Sequence, residues 1–403
     1  LSWTAVEQLK NGAEVDIRTI PAIIGGDRES RHGIVLAKSS SAKKFGIRTG
    51  EPVVNAFRKC PNLHMDPPNH RMYREYSRRL MDFLRTYTPE IEQVSVDECY
   101  MDFTGIAQRF SSPVEAAYEI KARVYEKFGF TVNVGISTNK LLAKMASDFE
   151  KPNRVHTLFP EEVREKMWPL PVSELFMAGK SSVAILEKLE IRTIGELAQT
   201  DPKLLEFHLK SHGRTLWEFA NGIGDAKVQS EETAAKGVGN STTLPKDVEK
   251  AEDAKKVLFS LAESVGKRLR KAGQKANMVS VEIRYSDFQN VSHQKQLGRA
   301  SGADQVIYEA ACSLFDELWN GEPIRLLGVR TAKLVDEDEP EQLSLFDLQF
   351  KVKSEKPKKS MEKLKKLSAA MGEIRGKYGA DAVIRGSVLE QREKKKKDEK
   401  KQF

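Results

Sequence analysis

The sequence predicts an α/β protein built from several units, and three observations carry that expectation. Apolar residues recur at helical spacing and then alternate at strand spacing through residues 65–158, and the exchange repeats through about residues 244–335. Between these regions, residues 160–224 break into short helical pieces separated by glycine turns. A chain of 403 residues has room for about two to four domains of this kind.

The first elements are a strand at Ile20–Ile24, a charged glycine turn and a second strand at Ile34–Ala37. KSSSAKKFGIRTG then reads as a serine-rich turn entering a short basic helix that Gly46 stops. Beyond the DPPN break, Met72, Tyr76, Leu80, Phe83 and Leu84 fall on one helical face, with Pro89 ending the element. QVSVDECYMDFTG, Gln93–Gly105, alternates like a strand. Pro113–Phe128 reads as a helix, TVNVGIS as a strand, and NKLLAKMASDFEKPN as a helix ending at Pro152. Polar residues 225–243 read as a linker. The second α/β unit follows as helix 250–271, strand NMVSVEIRYSD, helix 302–319 and strand IRLLGVRTAKL. An acidic DEDEPE precedes QLSLF, and in the tail SMEKLKKLSAAMGEIRGKYG has the pattern of one amphipathic helix.

Composition narrows the class. Hydrophobic content of 39% and charged content of 31% suit an ordinary globular chain, and no apolar stretch approaches the roughly 20 residues of a membrane span. Three scattered cysteines, Cys60, Cys99 and Cys312, argue against a disulfide framework and favour a reducing, cytoplasmic compartment. The net charge of +8 is uneven: residues 351–403 carry 18 Lys and Arg against 8 Asp and Glu, leaving the first 350 residues near neutral. A basic tail suits a polyanion, but it is equally a solvated extension.

The chemistry-bearing stretch is QVSVDECYMDFTG. Asp97 and Glu98 are adjacent, which is expensive in a half-buried strand unless something positive sits there. On a regular strand they face opposite sides, so both reach one ion only at a strand end or a bulge. They read either as ordinary carboxylates at an exposed strand end or as a hard-cation site. Mg²⁺ takes oxygen ligands and is commonly shared with substrate phosphates; Asp102 is nearby in sequence. Lys43, Lys44 and Lys151 are solvated surface lysines on one reading and neutralise a polyphosphate on the other. FMAGKSSVAIL places Gly179 and Lys180 at a glycine turn entering a helix, where backbone amides can hold a phosphate. No Cys/His pair has zinc spacing, and no Walker-type loop is present. QLSLF reads as an edge strand or as a docking peptide anchored by Leu345 and Phe346.

Together these parts resemble the Y-family, translesion DNA polymerases of the DinB or polymerase IV type, over nearly everything from Leu1 to Phe346. SVDECYMDFTG resembles that family's S-[IV]-D-E-x-[YF]-x-D core. GISTNKLLAKMASDFEKPN resembles its G-[IV]-[SG]-x-N-K-x-[LF]-A-K-x-A-S-x-x-x-K-P block, and QLSLF its sliding-clamp peptide. The resemblance implies a right-hand polymerase with a ferredoxin-like palm at 1–9 and 65–158 and small fingers at 10–64. It also implies a helix-hairpin-helix-like thumb at 159–228, a linker at 229–237, and an α/β little finger at 238–335. A clamp-binding linker peptide at 336–350 and the basic tail at 351–403 complete the order.

The resemblance further implies Asp97 and Glu98 as catalytic metal carboxylates, holding two Mg²⁺ ions with Mn²⁺ able to substitute. Lys151, Lys43 and Ser40 are then nucleotide-binding residues, and Gly179, Lys180 and Arg284 DNA-binding ones. Gln342, Leu343, Leu345 and Phe346 would bind the clamp's beta subunit. The partners implied are primer-template DNA and a dNTP, for a monomer without membrane attachment. In place of the family's usual Tyr and Arg stand Ser40 and Lys43, and Lys lacks Arg's bidentate fork, so altered triphosphate contacts are expected. LSWTAVE resembles the end of the motif that carries the family's first metal Asp, which is expected upstream of Leu1 together with the aromatic steric gate against ribonucleotides; with the register read from Glu7, Trp3 is a second candidate for that gate. The alternative is a catalytically impaired accessory protein that docks on DNA and clamp.

Overall fold

The computed structural model describes residues 1–27, 33–231 and 233–339, with isolated residues at 370, 374, 377, 378 and 382. The charged turn after Ile24 lies partly outside the described residues; Gln342, Leu343, Leu345 and Phe346 of QLSLF and most of the basic tail lie wholly outside them. The chain forms two compact units, Leu1–Glu232 and Thr233–Phe403.

The first unit opens with α1 (Ser2–Lys10), then β1 (Ala22–Gly25), β2 (Val35–Lys38), α2 (Ser40–Lys44), α3 (Val53–Lys59) and β3 (His64–Asp66). The strands form a small mixed sheet in the order β2-β1-β3. The serine turn before α2 forms as expected, and Ser39 closes it. Its hydroxyl accepts from the Ala42 and Ala22 amides and donates to the Ile20 carbonyl, capping α2 and tying it to β1. Gly46, in the left-handed region at φ +72°, follows the cap.

Next come α4 (His70–Leu84), β4 (Ile91–Gln93), β5 (Cys99–Met101) and α5 (Pro113–Phe128). Helix α4 closes at Leu84, well before Pro89, because its last apolar contacts are Phe83 and Leu84 and the residues beyond enter a turn. α5 matches the sequence reading at both ends; Ser112 caps its start and Gly129, at φ +77°, ends it. Their buried faces meet in one cluster of Val6, Tyr76, Leu80, Phe83, Ile91, Ile120, Val124 and Phe128. Trp3 stacks on Tyr76 and meets Phe130 edge-on, so aromatic packing accounts for its burial.

β6 (Val134–Ile136), α6 (Lys140–Asp148) and β7 (Val155–Thr157) complete the α/β part. The strands of this region pair as β4-β5 antiparallel and β6-β7 parallel, in two short ladders. α6 stops at Asp148, ahead of Pro152. Residues 160–224 form the expected short helices, including α7 (Lys180–Lys188), α8 (Ile194–Gln199), α9 (Pro202–Leu209) and α10 (Ser211–Ala220). Their core, Leu186, Ile194, Leu197, Leu205 and Leu216, is continuous with Leu142 and Met145 of α6.

The second unit is β8 (Gly237–Val248), α11 (Ala251–Lys271), β9 (Gln274–Tyr285), β10 (Asn290–Ser301), α12 (Asp304–Leu318) and β11 (Ile324–Asp336). The strands make one antiparallel sheet, β10-β9-β11-β8, with both helices on one face. The linker expected at 225–243 therefore ends earlier, because Gly237–Ser241 already pair with β11. β10 is missed by sequence reasoning: NVSHQKQLGRAS is almost wholly polar, since this edge strand buries little besides Ser301. Among the described residues, no helix is long and apolar enough to cross a membrane.

The tightest backbone approach in the first unit lies between β6 and α6. A Cβ on Gly135 would stand 1.9 Å from the Ala143 carbonyl oxygen and 2.5 Å from the Ser147 nitrogen, both backbone atoms that no rotamer change can move. We therefore expect Gly135→Ala to destabilise the first unit by about 1–3 kcal/mol, the usual cost of overpacking. Urea denaturation followed by circular dichroism checks this, and an unchanged midpoint would contradict the close packing.

Candidate active site

QVSVDECYMDFTG is not one strand. β4 ends at Gln93, β5 begins at Cys99, and residues 94–98 form the turn that joins them. The Glu98 carbonyl oxygen accepts from both the Val94 and Ser95 amides, at 2.9 and 3.2 Å, which closes the turn. Val94 and Val96 are 54% and 49% exposed, so their alternation with polar residues does not mark a buried face. The Gln93 side-chain amide pins the turn to the body by donating to Ser77 Oγ and to the Ser95 carbonyl.

The turn presents both acids to solvent. Ser95 Oγ donates to Asp97 Oδ1 at 2.8 Å, orienting that carboxylate. Asp102 is not part of this group: its carboxylate caps the next turn by accepting from the Thr104 amide, and the Thr104 hydroxyl, with that amide, holds it below its usual pKa.

The positive partner of the acid pair comes from α6. Asn139 caps this helix by accepting from the Leu142 amide, and its own side-chain amide donates to the Gly222 carbonyl. Lys144, at the middle of the helix, reaches Glu98 Oε1 at 2.6 Å and Asp148 Oδ2 at 3.3 Å. Asp148 Oδ1 takes Lys151 at 2.5 Å. Burial works against the Lys144 charge, but Glu98 and Asp148 outweigh it and raise its pKa. Burial likewise works against the Asp148 charge, yet the two lysines hold its carboxyl below the usual value. The Cys99 thiol, behind the turn, is pushed up to about 11 by burial and carries no nucleophilic role at neutral pH.

Of the residues singled out from sequence, Glu98 and Lys151 thus belong to one chain of ion pairs through Lys144 and Asp148, with Asp97 beside Glu98 in the turn and bonded to Ser95. Ser40 and Lys43 are exposed on α2, and no hydrogen bond or ion pair among the described residues joins them to it. Gly179 begins α7 with Lys180 exposed at its first turn. Arg284 lies on β9, on the face opposite α11 and α12, and donates to Asn290 Oδ1. Sequence reading passed over Lys140 and Lys144, although both stand in GISTNKLLAK. Their four-residue spacing puts them on one face of α6, and that was the available signal.

Among the described residues, no group of three or more His, Cys, Asp or Glu side chains is arranged to hold a metal ion. The donor set is two exposed carboxylates on adjacent residues, and among the described residues hydrogen bonds engage only Oδ1 of Asp97 and Oε1 of Glu98. Hard, anionic oxygens facing water fit Mg²⁺ and not a soft metal.

Comparison with known proteins agrees with this geometry. The profile of the impB/mucB/samB family matches residues 4–148, and that of its C-terminal domain matches residues 235–345. A protein of Clostridium acetobutylicum described as DNA polymerase IV is 46% identical over 98% of this chain and 96% of its own length. DNA polymerase IV 1 of Bacillus subtilis is 37% identical over 94% of this chain and 90% of its own length. Among solved structures, a Y-family DNA polymerase chimera superposes with a TM-score of 0.71 at 23% identity, covering 83% of this chain and 97% of the chimera. The chain belongs to the impB/mucB/samB family, the Y-family DNA polymerases, and within it to the polymerase IV type.

Lys140 ties the exit of the first unit to the same hairpin. It pairs with Glu92 at 2.9 Å and Asp225 at 3.2 Å, while the Gln229 amide and Ser230 hydroxyl donate to Glu92 and Glu90. We expect Lys140→Met to speed tryptic cleavage after Lys227 in the native protein by about threefold or more, as local opening becomes easier. Cleavage at the wild-type rate would show that the lysine does not secure this segment.

Proposed function

We propose that the chain adds dNTPs to a primer 3′-hydroxyl under template direction, with Asp97 and Glu98 as its metal carboxylates. The observation that carries the assignment is the closed 94–98 turn, which holds two oriented, exposed acids beside a line of lysines. In the reaction, the 3′-hydroxyl attacks the α-phosphorus and pyrophosphate leaves. Mg²⁺ bound by the acids supplies Lewis-acid stabilisation of the charge that develops on the attacking and leaving oxygens. Ser95 keeps the Asp97 carboxylate aimed, and Lys151 offers its ammonium to the triphosphate. To do so it exchanges Asp148 for a phosphate. A further carboxylate, expected from the motif that LSWTAVE ends, would join from ahead of Leu1.

On this reading residues 1–9 and 65–158 are the palm, 10–64 the fingers, 159–228 the thumb and 238–335 the little finger. Lys43 and Ser40 of α2 approach the nucleotide from the fingers. The exposed start of α7, with Gly179 and Lys180, and the open sheet face that carries Arg284 contact DNA backbone. Gln342, Leu343, Leu345 and Phe346 dock on a sliding clamp. The tail after residue 350 adds charge for polyanions.

Primer extension tests the acid pair. Asp97→Asn and Glu98→Gln are each expected to lower extension by about a hundredfold or more, as loss of a preorganised electrostatic group does. Primer-template affinity should change by less than about threefold, since backbone contacts elsewhere supply it. Binding should weaken steeply with salt for the same reason. Full activity in both variants would remove the assignment.

A further inference from the structure

We propose that Lys144, anchored by Asp148, is a positioning residue for Glu98: it aims the carboxylate and restrains its hold on a divalent cation. The inference rests on the reading of Asp97 and Glu98 as the metal carboxylates. Its ground is the geometry of one helix face. Lys144 Nζ lies 2.6 Å from Glu98 Oε1, the lysine side chain being only 18% exposed and the glutamate 47%. The confined partner is thus the cation, held between Glu98 and an aspartate of its own helix, so the mobile carboxylate is the group whose position is set. Asp148 accepts Lys144 on one oxygen and Lys151 on the other. Glu98 of the turn, Lys144 and Asp148 of α6, and Lys151 just beyond it therefore form a line of alternating sign.

An ammonium bonded to a carboxylate oxygen has two effects. It restricts the rotamers of Glu98 by engaging Oε1, and it repels any cation that approaches the same carboxylate. These effects have opposite consequences. Removing the charge makes the free acid pair bind a divalent cation more tightly, yet leaves Glu98 less well aimed for the reaction. A residue that merely packs produces neither change.

The test uses the whole chain without DNA or nucleotide, titrated with Mn²⁺ and read by the electron paramagnetic resonance of the free ion. Lys144→Met keeps the apolar stem and removes the charge; we expect it to tighten Mn²⁺ binding by roughly three- to tenfold, the effect of one nearby charge at partly exposed sites. Lys144→Arg should stay within about twofold of the parent, because it keeps the charge. In the Glu98→Gln background the Lys144→Met effect should vanish, as a double-mutant cycle requires for an interaction through Glu98. In single-turnover extension at saturating Mg²⁺, Lys144→Met should lose about tenfold in rate with KM for dNTP little changed, and Lys144→Arg should recover most of it. Unchanged or weaker Mn²⁺ binding in Lys144→Met, with Glu98→Gln still weakening it, would overturn the proposal. Mn²⁺ binding that survives both Asp97→Asn and Glu98→Gln would instead overturn the acid-pair reading. Should Lys144→Met fail to fold, Lys144→Gln carries the same charge test.

Discussion

The candidate site depends on how closely α6 lies against β6. Gly135 has no side chain at the contact, and the space a Cβ would need is filled by the Ala143 carbonyl and the Ser147 amide. The close approach sets the height of the helix. One turn along, Lys140 and Lys144 are then at the right level to meet Glu92 and Glu98 on the hairpin. An outward shift of α6 on the order of an ångström would take the Lys144–Glu98 contact beyond hydrogen-bond range. The glycine is thus a constraint on chemistry as well as on packing.

From that constraint the charge arrangement follows. A strand would have sent Asp97 and Glu98 to opposite faces, and one of them toward Tyr76, Leu80 and the rest of the α4–α5 core. Placing them in a turn avoids burying either acid, and the price is a run of exposed valines at Val94 and Val96. The turn keeps its shape through backbone bonds to the Glu98 carbonyl and through Ser95, none of which involves the outer carboxylate oxygens. Shape and ligand capacity are carried by different atoms, so a cation can bind without dismantling the turn.

This separation also explains what was legible in the sequence. The long elements α4, α5, α11 and α12 have wide apolar stripes, and their positions could be read from periodicity alone. The two acids and Lys151 were readable from residue type and from the resemblance, and Lys144 and Asp148 link Glu98 to Lys151. The hairpin was not readable, since Val94 and Val96 alternate with polar residues as a half-buried strand would. β10 was hidden for the converse reason, its polar residues facing water on an edge. The roles of Lys140 and Lys144 depend on contacts 48 and 46 residues away in sequence, to Glu92 and Glu98, which no local pattern encodes. Ser39 was overshadowed by its neighbour Ser40, because three consecutive serines give no sign of which one caps the helix.

The two lysines of α6 divide their work by one turn of helix. Lys144 faces the acids, and Lys140 faces the segment that leaves the first unit, sharing Glu92 with the Gln229 amide. Movement of that segment therefore pulls first on Glu90 and Glu92 of β4, the strand paired with β5. Whether such a pull reaches the acids is decided by relative strength. The contacts of Gln229 and Ser230 are hydrogen bonds to carboxylates, each worth up to about 1.5–3 kcal/mol where shielded and less here, where both are exposed and water competes. Ile91, buried in the α4–α5 core, is held by roughly 1.5–3 kcal/mol of apolar burial in addition to the β4–β5 ladder. The outer contacts give way before the strand shifts. The exit segment can thus detach and return while the turn that carries Asp97 and Glu98 keeps its geometry.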